Sequence, residues 1–160
     1  MDRIDEIDAQ ILELLQERGR MKRGKIAKEV GLSLPSVSDR MRKLEEREVI
    51  TGYHAVVDPR RLGYDICAFI RVVVDGSSHF DEFVENAIDE PDIQEVHSVT
   101  GDGSHILRIA ARDTASLERL LSLIQSWPGV HGTSTSIVLT GFKDTRAVRV
   151  TPHVMVPIES

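Results

Sequence analysis

The chain has 160 residues, 41% of them hydrophobic, and a formal charge of −6 at pH 7. That length suits one large domain or two small ones, and no apolar run approaches the roughly 18 residues a membrane span requires. The single cysteine, Cys67, excludes an internal disulfide and a thiolate zinc site, and the start "MDRIDEID" is unlike a signal peptide. The expectation is a cytoplasmic protein without a membrane partner, with Cys67 as a buried structural thiol in "DICAFIRVVV".

Charge is unevenly placed. Residues 1–60 hold 12 Lys/Arg and 12 Asp/Glu, whereas residues 61–160 hold 8 and 14. Residues 20–43 hold 8 basic residues against 2 acidic ones. Overall acidity therefore does not exclude nucleic acid, because a positive field confined to one segment is an electrostatic footprint for it.

In chain order, Ile7, Ile11, Leu14 and Leu15 recur on one face of a first helix. Asp5 can cap it, with Glu6 and Asp8 at the positive end of its dipole. A second short helix spans about Arg23 to Val30, with Ile26, Ala27 and Val30 inward, and Gly31 stops it. A third follows in "LSLPSVSDRMRKLEER": Ser33 caps it, Pro35 is tolerated in its first turn, and Val37, Met41 and Leu44 face inward. Two helices broken at a glycine over about residues 23–42 form the helix-turn-helix pattern. "VITGYHAVVDP" then reads as a small two-strand wing turning at Gly52, or as a connecting strand.

The predicted layout is a winged helix-turn-helix over 1–60, a linker at 61–64, a second domain over 65–144 and a tail over 145–160. The second domain has the order strand (Ile66–Val74), helix (His79–Ile88), strand (Ile93–Val99), strand (Ser104–Ala111), helix (Thr114–Ser126) and strand (Val130–Leu139). This βαββαβ order is ferredoxin-like, so the whole chain is α+β. Phe80, Phe83, Val84 and Ala87 mark the inner face of its first helix, and Leu117, Leu120, Leu121 and Ile124 that of its second. Trp127 is expected to pack a helix end. The tail, β-branched and proline-containing, either pairs with a partner chain or stays loose.

Candidate DNA contacts lie in the basic segment. Arg23 and Lys25 stand in the first turn of the second helix, with Lys22 before it. Cations there oppose the helix dipole, so stability does not explain them, whereas a docked DNA phosphate would. On the third helix Ser36, Ser38, Asp39, Arg40, Arg42 and Lys43 are read as outward. Ser36 and Ser38 suit base edges, Arg40 a guanine or a phosphate, and Arg42 and Lys43 the backbone. Asp39 could instead orient Arg40 or Lys43. Elsewhere, the turn "TGDGSH" (Gly101, Asp102, Gly103, Ser104, His105) either approaches a ligand with free backbone or simply turns tightly. Thr133 and Thr135 share one face of the last strand. The six histidines show no metal-ligand spacing, and no phosphate-loop or dinucleotide glycine motif is present. No cofactor, metal or enzyme activity is expected.

The run from "IDEIDAQILELLQERG" through "VITGYHAVVDPRRLG" resembles the N-terminal domain of the Lrp/AsnC (feast/famine) transcription regulators. "EVHSVTGDGSHILRIAARD" and "PGVHGTSTSIVLTGFK" resemble their regulatory domain, so the similarity spans about residues 3–144. The resemblance implies a sequence-specific regulator of transcription that binds double-stranded DNA. It also implies homodimers, often assembled into octamers, with amino acids or related metabolites bound at subunit interfaces. The effector residues it implies are Gly101, Asp102, Gly103, Ser104, His105, Thr133 and Thr135. Two positions depart from the family pattern: Lys22 replaces the usual serine or threonine cap, and Ser104 stands where an aspartate is common. The second departure implies a weak amino-acid effector or one lacking a free amino group. Sirohaem decarboxylases of similar fold, and an effector-independent architectural protein, are the alternatives. The first would not need the cationic face on residues 20–43.

Overall fold

The computed structural model describes residues 3–153. The chain divides into two compact units: the residues up to Val56 together with those from Asp144 onward, and Val57–Lys143.

The first unit is built on three helices, α1 (Glu6–Glu17), α2 (Arg23–Glu29) and α3 (Leu34–Glu46). Asp5 caps α1 by accepting from the Asp8 N–H at 2.7 Å. Ser33 caps α3 by accepting from the Ser36 N–H at 3.3 Å, with Pro35 in the first turn. Each cap satisfies a donor that has no partner within the helix. Gly31 takes φ +69, the left-handed conformation that lets the chain reverse between α2 and α3. The apolar stripes converge: Ile11 of α1, Ile26 of α2, and Val37, Met41 and Leu44 of α3 are buried together. The expected wing does not form. Residues 51–58 pair into no strand. Tyr53 instead hydrogen-bonds back to α3, its hydroxyl donating to Glu45 Oε1 at 2.9 Å.

The second unit contains β1 (Ile66–Val74), α4 (Phe80–Asp89), β2 (Ile93–Ser98), β3 (His105–Ala111), α5 (Thr114–Ser126) and β4 (Val130–Ile137). The sheet order is β2-β3-β1-β4, and every neighbouring pair is antiparallel. Both edges of β1 are therefore occupied, which places it at the centre. Alternation sorts its side chains. Ala68, Ile70, Val72 and Val74 are buried in one core with Phe83, Ala87, Leu117, Leu120 and Ile124 of the two helices. Phe69 and Val73, on the other face, are about 40% exposed. Cys67 shares that face and is half-buried, not sealed in the core as its neighbours suggested. Trp127 does cap α5, and its ring lies edge-on to Phe83 at 5.6 Å.

Over residues 144–153 the tail is not loose. It returns to the first unit. The Gln16 side-chain amide grips the backbone of Val148 twice, donating from Nε2 to the carbonyl at 3.0 Å and accepting the N–H on Oε1 at 2.7 Å. Val150 packs on the core beside α1, and the His153 N–H donates to the Ile4 carbonyl at 2.7 Å. Its last residues, "VMVPIES", fall outside the described region. Three hydrogen bonds and one packed valine predict that a chain ending at Lys143 loses about 1–3 kcal/mol from the first unit. Gln16→Ala should lose less, in the same direction. Urea unfolding of both variants checks this; midpoints equal to wild type would mean the tail contributes nothing.

Candidate nucleic-acid interface and effector loop

The basic residues separate into two groups once folded. Lys22, Arg23 and Lys25 are exposed at the start of α2, and they form no ion pair among the described residues. Lys22 occupies the cap position without a side-chain hydrogen bond. On α3 the cations are engaged. Arg42 Nη2 lies 2.6 Å from Asp39 Oδ1, and its Nη1 lies 2.5 Å from Glu46 Oε1. Lys43 Nζ lies 2.9 Å from Asp39 Oδ2. Asp39 thus orients Arg42 and Lys43, and not Arg40. These two contacts hold its carboxyl below the usual range, Lys43 first. Ser36 is exposed but shares a 2.8 Å hydroxyl contact with the Ser33 cap, and Ser38 is half-buried.

Arg40 is not an outward side chain. Its Nη1 donates to Asp5 Oδ2 at 2.6 Å and to Asp8 Oδ1 at 2.8 Å, tying α3 to the start of α1. Asp8 is buried, at 7% exposure, so the guanidinium neutralises a carboxylate that water reaches poorly. Partial burial opposes ionisation of Asp5. The Asp8 backbone N–H and the Arg40 guanidinium outweigh it and hold the carboxyl below its ordinary value.

In the second unit the loop before β3 packs against β1. Gly101 and Gly103 take φ +98 and +96. A Cβ on Gly103 would stand 3.0 Å from the Val72 carbonyl oxygen, whereas nothing lies within 4 Å of one on Gly101. The demand for glycine at 103 therefore comes from the neighbouring strand. Ser104 turns inward as well: its Oγ accepts from the Val74 N–H at 3.0 Å and lies 3.3 Å from the Val72 carbonyl and 2.9 Å from His105 Nδ1. The pairing of β1 with β4 shifts register between Val73 and Val74, and the serine hydroxyl serves an N–H at that irregularity. His105 is buried at 1% exposure, between Phe80 at 5.0 Å and Phe83 at 4.7 Å. Burial pushes its imidazole pKa down. Ser104 and His105, expected among the effector residues, engage their side chains in these contacts.

Thr133 and Thr135 oppose Val72 and Ile70 of β1, so they share the helix-facing side of the sheet. Thr133 Oγ1 accepts from Gln125 Nε2 of α5 at 2.8 Å. Val72 has His105 on its other side, which aligns Thr133, Val72 and His105 across the strands. Asp102 remains exposed, and its carbonyl accepts from Arg71 Nη1 at 3.4 Å. Arg71 escaped the sequence-based selection. Its signal was a lone cation inside the apolar run "CAFIRVVV". On the same open face, Arg108 and His97 both reach Glu95, each at 3.2 Å. No group of three or more potential metal ligands occurs among the described residues.

A helix-turn-helix joined to a four-stranded α+β domain defines a two-domain DNA-binding regulator. Residues 4–51 match the winged helix-turn-helix DNA-binding family, and residues 67–148 match the Lrp/AsnC ligand binding domain. The HTH-type transcriptional regulator FL11 of Pyrococcus horikoshii is 39% identical over 142 residues, covering 89% of this chain and 93% of that protein. The leucine-responsive regulatory protein of Klebsiella pneumoniae is 31% identical over 89% of this chain and 88% of its own length. The feast or famine regulatory protein of M. tuberculosis, complexed with L-methionine, superposes with a TM-score of 0.86 at 28% identity, covering 92% of this chain and 99% of that one. The chain belongs to the Lrp/AsnC family of transcriptional regulators. It is a DNA-binding regulator that carries a small-molecule-binding domain.

The Arg40 geometry predicts that Arg40→Ala destabilises the first unit by about 1–3 kcal/mol, because Asp8 is left buried without its charge partner. Ionised Asp5 is favoured by folding, so its contribution is present above its ordinary pKa of 3.8 and is lost as pH falls through the lower folded value. The variant should therefore also lose part of the pH dependence of stability that wild type shows as pH falls below 3.8. Chemical unfolding across the acid range reads both effects; unchanged stability with lost DNA affinity would return Arg40 to the DNA surface.

Proposed function

We propose that the regulator grips duplex DNA with the exposed start of α2 and the outward face of α3, works as a homodimer built on its open sheet face, and responds to an amino acid or related metabolite at the Gly101–Ser104 loop. The observation that carries the DNA reading is the exposure of Lys22, Arg23 and Lys25 without ion-pair partners among the described residues, directly before the helix expected to enter the major groove. A dimer is supported by Phe69 and Val73, which leave apolar surface uncovered on that face at 40% and 42% exposure. Pairing two such faces across a two-fold axis would present two helix-turn-helix units to one duplex, and assembly of four such dimers would give an octamer. The relatives are transcriptional regulators, which favours this reading over a decarboxylase.

For the effector, Arg71 and Asp102 supply opposite charges at the end of the open face. A carboxylate would meet the guanidinium and the free backbone of the glycine turn, and an ammonium would meet the Asp102 carboxylate. L-methionine bound to the mycobacterial relative supports this class of ligand. Ser104, absorbed into the strand contact, contributes no charge.

Two measurements test the reading. DNA affinity should fall about 10³–10⁵-fold between 50 and 200 mM salt if a dimer makes roughly 6–10 phosphate contacts. Arg23→Ala should flatten that slope, and a wild-type slope near zero would remove the basic segment from the interface. A thermal-shift screen of amino acids and keto acids should find a stabilising ligand whose effect is lost in both Arg71→Ala and Asp102→Ala. A ligand that stabilises both variants as strongly as wild type binds elsewhere.

A further inference from the structure

The two helices of the DNA-binding motif differ in charge logic. Lys22, Arg23, Lys25 and Lys28 of α2 and its cap are exposed, with Glu29 as the one acid among them. The face of α3 opposite Val37, Met41 and Leu44 carries Asp39, Arg42, Lys43 and Glu46, two acids against two bases. Both cations there are held by carboxylates at 2.5–2.9 Å, and Asp39 touches both of them. A helix that served only to attract phosphates would gain nothing from Asp39. Its carboxylate faces the strongest negative potential the protein meets, and it occupies the two side chains best placed to neutralise phosphates.

We propose that Asp39 is a specificity-determining residue that works against non-specific DNA. It keeps Arg42 and Lys43 on the helix surface and makes the outward face of α3 electrically neutral, so attraction to any duplex comes from α2 alone. When α3 enters the major groove at a wrong sequence, the Asp39 carboxylate meets no donor and is repelled by the phosphates. At a right sequence an exocyclic amino group, such as cytosine N4, donates to it, and the two cations are released to their own partners. Discrimination then arises from a penalty at wrong sites as much as from a gain at right ones. The inference rests on α3 being the helix that enters DNA.

The experiment compares wild type with Asp39→Asn and Asp39→Ala on two duplexes: one of random sequence, and one selected by the wild-type protein from a random pool. Affinities are measured over a range of salt. Glu13→Gln, an exposed acid on α1, makes the same charge change away from this face, and Arg23→Ala reports on the DNA surface itself. Both Asp39 variants should bind random duplex about 10-fold tighter than wild type, with a log–log salt slope steeper by about 1–2 as freed cations reach phosphates. Their preference for the selected duplex should shrink correspondingly, and Glu13→Gln should stay within about twofold of wild type. If Arg23→Ala weakens binding while neither Asp39 variant tightens it on random duplex, the inference about Asp39 fails and the DNA surface stands. If Arg23→Ala also leaves affinity unchanged, the DNA surface is misplaced and the inference falls with it.

Discussion

The first unit depends on one charged contact, the Arg40 guanidinium shared between Asp5 and Asp8. Asp5 is also the residue that caps α1, so cap and ion pair fix the same point. The contact joins the start of the first helix to the middle of the third, over 32 and 35 positions of sequence. Apolar packing alone would let α3 rotate by a few degrees at modest cost, since Val37, Met41 and Leu44 fill a broad stripe. A hydrogen-bonded guanidinium has direction. It sets which residues of α3 face outward, and it places Asp39, Arg42, Lys43 and Glu46 there together.

The second unit is organised around Val72, at the centre of the sheet. His105 and Thr133 flank it, the Ser104 N–H donates to its carbonyl, and Gly103 approaches that same oxygen. Helix packing claims one face of this arrangement. The other face keeps Phe69, Arg71 and Val73 accessible, and Arg71 reaches the loop at Asp102. A molecule bound at that end would touch the loop and, in a dimer, the edge of the paired face at once. Effector binding and assembly could then be linked through whichever assembly binds the ligand better.

Much of this was legible in the sequence where a short-range rule decides the outcome. Helical spacing located Ile11, Ile26, Val37, Met41 and Leu44, because a helix exposes one face to the core. Strand alternation and turn glycines gave the βαββαβ order for the same reason. Arg40 was misplaced because it flanks the buried stripe of α3, and spacing cannot say whether a flanking arginine meets water or an acid from another helix. The wing failed as a strand pair: β-branched residues supply propensity, and these found no partner strand. Ser104 and His105 were taken as ligand groups because their neighbours in the chain form a turn. Their actual partners, Val72, Val74, Phe80 and Phe83, are brought by the fold. The tail was illegible for the same reason, since Gln16 lies 132 positions from Val148.

The most direct test of the account is a double-mutant cycle on Arg40 and Asp8, with unfolding free energy and DNA affinity measured on the same four proteins. The account predicts strong coupling: Arg40→Ala with Asp8→Ala together should cost clearly less stability than the two single losses combined. DNA affinity should follow the folded fraction in all four. Additive stability losses, with DNA affinity lost only where Arg40 is absent, would contradict it and make Arg40 a reader of DNA.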